Sequence, residues 1–204
     1  MKANKAFDTR TIAELGMLLG ITLLMGLTPV GTIPTPFLNV SIVTIPVAIA
    51  AIFHGPKGGL ICGGAFGLTS LYNAMAGKSV MMAALFAINP LATAFTAIVP
   101  RLLEGLLVAI IFNALHRVKR LRSASYYIAS LCCPVLNTIL FMSCIVMFFY
   151  NSDYIQEMVA ARGVSNPFSF VVALVGIQGV VEAITCLVIA GTVSQGVDRV
   201  LHRR

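Results

Sequence analysis

Apolar residues dominate this chain in long runs, broken at nearly regular intervals by short polar or glycine-rich segments. Five runs can be placed at once: residues 11–30, 40–53, 58–74, 126–150 and 168–193. Most approach or exceed the roughly 20 residues that a helix needs to cross a bilayer. The second and third are short, and His54-Gly-Pro-Lys57-Gly-Gly between them predicts a sharp turn. Residues 80–115 form a sixth apolar stretch, too long for one span and too short for two with a comfortable turn. Its only charged residues are Arg101 and Glu104. A guanidinium in hydrocarbon costs about 2.5–3.5 kcal/mol on insertion scales. Such a residue is expected to face a polar cavity or a partner. Three residues apart, the two side chains share a helix face.

Charge resolves the ambiguous stretch. Eleven of the fourteen basic residues fall in four groups: Lys2, Lys5 and Arg10; Lys57; Arg117, Lys119, Arg120 and Arg122; Arg199, Arg203 and Arg204. The positive-inside rule puts all four groups in the cytoplasm. Lys78 and Arg162 then fall in outside loops, and one helix, 90–116, connects Lys78 to Arg117. The expected fold is an all-α integral membrane protein, a single bundle of six transmembrane helices with both termini cytoplasmic. Residues 80–89 are left as an apolar outside loop, expected to fold over the bundle mouth as a lid. The loop 151–166, with Asp153, Glu157 and Arg162, is expected to be solvated surface.

Composition agrees with the membrane reading: 58% of residues are hydrophobic, 10% are charged, and the mean hydropathy is +0.95. The net charge of +7 reflects topology, so nucleic acid is not an expected partner. The five cysteines all lie in predicted spans without metal-ligand spacing and are read as small apolar side chains. No metal or cofactor is expected. The first span lacks a small-residue cleavage site and is read as a retained helix.

With the topology set, depth follows from a rise of about 1.5 Å per residue. Arg101 is eleven residues from Pro90, Asn137 thirteen from Tyr150, and Gln178 eleven from Pro167. All three lie roughly 16–20 Å below the outer ends of their helices. Glu104 and Glu182 lie one turn deeper. Singly, Asn137 and Gln178 could be interhelical glue, and Glu104 or Glu182 could neutralise Arg101. Their shared level predicts a binding site. Asn39, Asn73, Asn89 and Tyr150 sit at outer ends or in outside loops, where they could touch an entering ligand.

On the first helix, Gly16 and Gly20 have the small-xxx-small spacing that permits close approach of another helix. Gly63, Gly64 and Gly67 are expected to pack inside the bundle. Enzyme motifs are missing: there is no G-x-S-x-G, HExxH, paired aspartate motif or Walker A sequence. A non-enzymatic protein that binds and moves a solute is the expected class.

The segments LNVSIVTIPVAIAAIFHGPKGGLICGGAFGLTS, PRLLEG and LNT, in that order, resemble the substrate-binding S components of energy-coupling factor (ECF) vitamin transporters. The resemblance covers nearly the whole chain. It implies a bacterial cell-membrane protein that binds one vitamin from outside with high affinity. It also implies a transmembrane scaffold subunit and two cytoplasmic ATPases as partners, with release of the vitamin inside on ATP hydrolysis. The family's scaffold-contacting motif on the first helix usually uses alanines; Gly16 and Gly20 take that place here. Within the family the chain is most similar to the pantothenate and riboflavin binders, and Arg101 and Asn137 match positions expected to bind pantothenate. A carboxylate suits a guanidinium, which pairs with it bidentately. Two ionised glutamates beside Arg101 would oppose an anion, so riboflavin or another water-soluble vitamin stays open. A stand-alone secondary transporter with Glu104 or Glu182 as proton carrier is the alternative class.

Overall fold

The computed structural model describes residues 8–34, 39–163 and 166–201, and for 32–34, 39, 40 and 201 it describes the backbone alone. Helix α1 (Thr9–Leu27) is followed by a 3₁₀ turn at Pro29–Gly31 and two three-residue strands, β1 (Thr32–Pro34) and β2 (Asn39–Ser41). The strands pair antiparallel with Ile33 opposite Val40. Then come α2 (Thr44–Met75), α3 (Val80–Ile88), α4 (Pro90–His116), α5 (Ala124–Phe149), α6 (Asp153–Ala161) and α7 (Pro167–Leu201). Five of these helices, α1, α2, α4, α5 and α7, are long and apolar enough to cross a membrane.

α2 is not one straight rod. Gly55, at φ 62° and ψ −153°, breaks it, and Pro56 follows. That φ lies in the region glycine alone adopts without cost. A side chain at Gly58 would collide with the Ala50 carbonyl eight residues back. In an unbroken helix those positions are about 12 Å apart. The chain therefore folds back on itself at the predicted His54–Gly59 turn, giving two antiparallel halves, 44–54 and 56–75.

The second half lies along α4 with the main chains in contact. Gly59 meets Gly105, Gly63 meets the Arg101 carbonyl, and Gly67 meets Ala97 and Ile98. Each step of four along α2 matches a step of about four back along α4, so the glycines form one seam. The absence of Cβ atoms is what lets the helices approach this closely. Gly63 and Gly67 thus pack inside the bundle.

Three expectations are corrected. The second span was expected from residue 40, but 39–41 form β2 and the helix starts at Thr44, so the fold carries a small hairpin as well as helices. Residues 80–88 are helix α3 rather than a loop, and Leu85 in it is fully buried. The segment 151–166 is not simply solvated surface: α6 places Ile155 (0% exposed) and Val159 (8%) in the core. The pattern Tyr154, Ile155, Met158, Val159 puts two adjacent stripes on one side of a helix, and Ser152 caps it by accepting from the Ile155 amide.

The buried side chains form two clusters. One gathers Leu15, Val47, Cys62, Val108, Phe112 and Cys133. The other gathers Leu85, Met142, Ile145, Phe149, Ile155 and Phe170, and so draws α3 and α6 onto the main helices.

Candidate functional site

A cavity of about 750 Å³ opens between helices α1 to α7. Phe66 of the first cluster and Met82, Met142 and Leu174 of the second contribute to its wall. Arg101, Asn137 and Gln178, expected at one level, line it together with Glu182, expected one turn deeper. Asn73 lines it too.

Arg101 is 6% exposed. Its Nη1 donates to the Thr96 carbonyl at 2.8 Å, while Nε has no partner. The Phe141 ring centroid lies 4.3 Å from the guanidinium carbon and that of Phe66 5.3 Å away. Both distances permit cation–π attraction. Asn137, on α5, has a buried Oδ1 without a hydrogen-bond partner. Glu182, on α7, accepts from the Ser41 amide at 2.7 Å and from Gln178 Nε2 at 2.8 Å. Through Ser41, the hairpin is tied to the cavity wall. Asn73 Nδ2 donates to the Gly26 carbonyl at 2.8 Å, and Lys78 Nζ to the Leu27 carbonyl at 3.3 Å. These two bonds fasten the end of α1 to the α2–α3 junction.

Glu104 goes elsewhere. It is fully buried and is not among the residues lining the cavity. Its Oε1 accepts from the Cys133 thiol at 2.9 Å, and the thiol also lies 3.5 Å from the Thr44 carbonyl. Glu104 forms no ion pair with Arg101. Three residues along a helix leave side chains about 60° apart around the axis, enough to send one into the cavity and the other toward α5. Cys133 is therefore a hydrogen-bond donor as well as an apolar filler.

Asn89 is also off the cavity. It is exposed, and its Oδ1 caps α4 by accepting from the Ala92 amide at 3.1 Å, ahead of Pro90 in the first turn. Tyr150 is half-buried against the second cluster and does not line the cavity. The side chain of Asn39 lies outside the described residues; its backbone is in β2, two residues from Ser41. Gly16 and Gly20 have nothing within 4 Å of where a Cβ would stand.

Several lining residues escaped sequence reasoning. Lys78 and Arg162 were, with Arg101, the three basic residues outside the groups expected in the cytoplasm, and that exception was their signal. Tyr154 and Met158, from α6, share Arg162's i, i+4 stripe. Phe66 and Phe141 carried no signal, since aromatic residues in a span are read as core.

The family model described as "ECF transporter, substrate-specific component" matches residues 10–194. The chain belongs to this family of ECF transporter substrate-specific components. Among relatives of this S component is a protein of Leuconostoc mesenteroides subsp. mesenteroides named "Pantothenate transporter PanT". The two are 37% identical over 95 residues, covering 47% of this chain and 41% of the relative. The matched stretch thus spans less than half of that relative.

Proposed function

We propose that this S component binds pantothenate in the cavity around Arg101. The observation that carries the reading is the charge of the described lining. Lys78, Arg101 and Arg162 are basic there, and Glu182 alone is acidic. A basic surplus in a low-dielectric cleft attracts an anion. Glu104, which would have opposed one, is engaged with Cys133 instead.

The remaining groups suit the rest of the vitamin. Pantothenate is a carboxylate joined by an amide to a branched dihydroxy acyl group. Arg101 would take the carboxylate. Asn137 Oδ1, unpaired and buried, would accept from the amide or a hydroxyl. Phe141, Met142, Leu174 and Val175 would cover the methyl groups. The volume lies within the range of about 300–1,000 Å³ usual for small-molecule sites. The pantothenate-named relative adds support, and riboflavin, an uncharged isoalloxazine, makes less use of three basic side chains.

In this reading the chain crosses the bacterial cell membrane six times, the broken α2 supplying two passes, with both termini cytoplasmic. The vitamin enters from outside. α3 and α6 form the cover, because Met81, Met82, Tyr154 and Met158 line the cavity. A transmembrane scaffold subunit would dock on α1 along Gly16 and Gly20, and two cytoplasmic ATPases would drive release. The open space beside both glycines supports that face as the contact.

Isothermal titration of the purified protein against a panel of vitamins tests the proposal. Pantothenate is expected to bind below micromolar, with riboflavin and thiamine silent. Tight binding of an uncharged vitamin and none of pantothenate would remove it.

A further inference from the structure

In an α-helix each carbonyl accepts from the amide four residues ahead. For Thr96 in α4 that amide would belong to residue 100, which is Pro100 and has no N–H. Pro100 is buried, as is Thr96. A main-chain carbonyl left open at such a place is costly, because no water is there to satisfy it. The donor it finds is Arg101 Nη1, at 2.8 Å. The arginine thus reaches back along its own helix to fill the gap its neighbour creates, while Phe141 and Phe66 lie against its guanidinium.

We infer that Pro100 is a positioning residue for the ligand arginine: by withholding its own amide it reserves the Thr96 carbonyl as the dock that holds the Arg101 guanidinium at the cavity. An ordinary residue at 100 would close the helical bond to Thr96 with an amide already in place. Arg101 would then lose its anchor, and its flexible side chain would need to be ordered by the ligand itself. The inference rests on the proposed pantothenate site for its functional consequence, but not for the geometry.

The test compares Pro100→Ala with a chain carrying lactic acid at position 100, introduced by nonsense suppression. Alanine supplies the missing N–H and favours helix. Lactate, an ester, has neither N–H nor ring. Titration is run with pantothenate and with its alcohol analogue pantothenol, which lacks the carboxylate. The expected result is that Pro100→Ala weakens pantothenate binding roughly tenfold, leaves pantothenol binding unchanged, and that lactate restores the wild-type preference for the acid. Failure of lactate to restore it would assign the effect to the proline ring and overturn the inference. So would an unchanged pantothenate affinity in Pro100→Ala.

A second readout needs no vitamin. ¹⁵N NMR of the arginine side chains, with Arg101 assigned by Arg101→Lys, is expected to show slow rotation about Cζ–Nη1 in the wild type and the lactate chain. In Pro100→Ala that rotation should be fast. If the wild type binds no pantothenate, the proposed function fails while this NMR comparison still decides the role of Pro100. Equal rotation in wild type and Pro100→Ala would refute it.

Discussion

Cys133 donates its thiol hydrogen to Glu104 Oε1 across 2.9 Å, joining α5 to α4 away from the cavity that Arg101 lines. The bond assigns the glutamate to the packing of the bundle. Cys133→Val removes the donor and leaves a buried carboxylate with neither oxygen satisfied, a loss of about 1–3 kcal/mol. The thermal midpoint is expected to fall by several degrees, with pantothenate affinity within threefold of wild type. A large loss of affinity with an unchanged midpoint would place Glu104 in the ligand site after all.

Arg101 is the opposite case. Arg101→Ala is expected to weaken pantothenate binding about 100-fold, the size of a charge-assisted hydrogen-bond pair. Arg101→Lys should recover only part of this, since an ammonium cannot present two parallel donors. Titration reads both, and equal affinity in Arg101→Ala and wild type would exclude the carboxylate contact.

The glycine seam predicts a sharp contrast among substitutions of one kind. Gly59→Ala and Gly63→Ala place a methyl group against the main chain of α4 and should prevent recovery of monodisperse protein. Gly20→Ala and Gly196→Ala meet nothing within 4 Å and should leave the isolated protein intact or slightly stabilised. Fluorescence-detected size exclusion separates the two outcomes.

How much of this was legible beforehand follows from which physical rule governs each residue. Arg101, Asn137 and Gln178 reach one cavity because helical rise is nearly constant, so counting residues from the ends of their helices sufficed. The turn at Gly55 was legible from a glycine–proline pair. The direction of Glu104 was not, because helical spacing fixes a face to within about 60° and the choice between cavity and α5 rests on a thiol in another helix. Asn89 stands at a helix end as expected, but a side chain there serves the first free amides before it serves a ligand. The helices α3 and α6 are nine residues each. Neither could span a bilayer, so a search for spans passed over them.

The stripe of α1 residues at Gly16 and Gly20 gives a prediction about assembly. Gly16→Leu with Gly20→Leu should abolish co-purification with the energy-coupling subunits while pantothenate affinity stays as in wild type. Retained co-purification would move the contact to another face.

Lys78 and Arg162 belong to the cavity lining yet lie in short connections, between α2 and α3 and just after α6. The pair Lys78→Gln, Arg162→Gln is expected to slow pantothenate association about tenfold at low salt, with a smaller difference at high salt. Stopped-flow measurements across ionic strength check this; a change confined to the off-rate would mean that both residues hold the bound vitamin instead of guiding it in.

The seam also divides the molecule by its freedom to evolve. Where Gly63 rests on the carbonyl of Arg101, the α2–α4 contact is main chain against main chain, with no room for selection to add a side chain. The cavity walls are different: Phe141, Met142, Val175, Tyr154 and Met158 are ordinary side chains on α5, α6 and α7. A lineage of such proteins could therefore change what it carries by altering α5, α6 and α7 while inheriting the α2–α4 seam untouched.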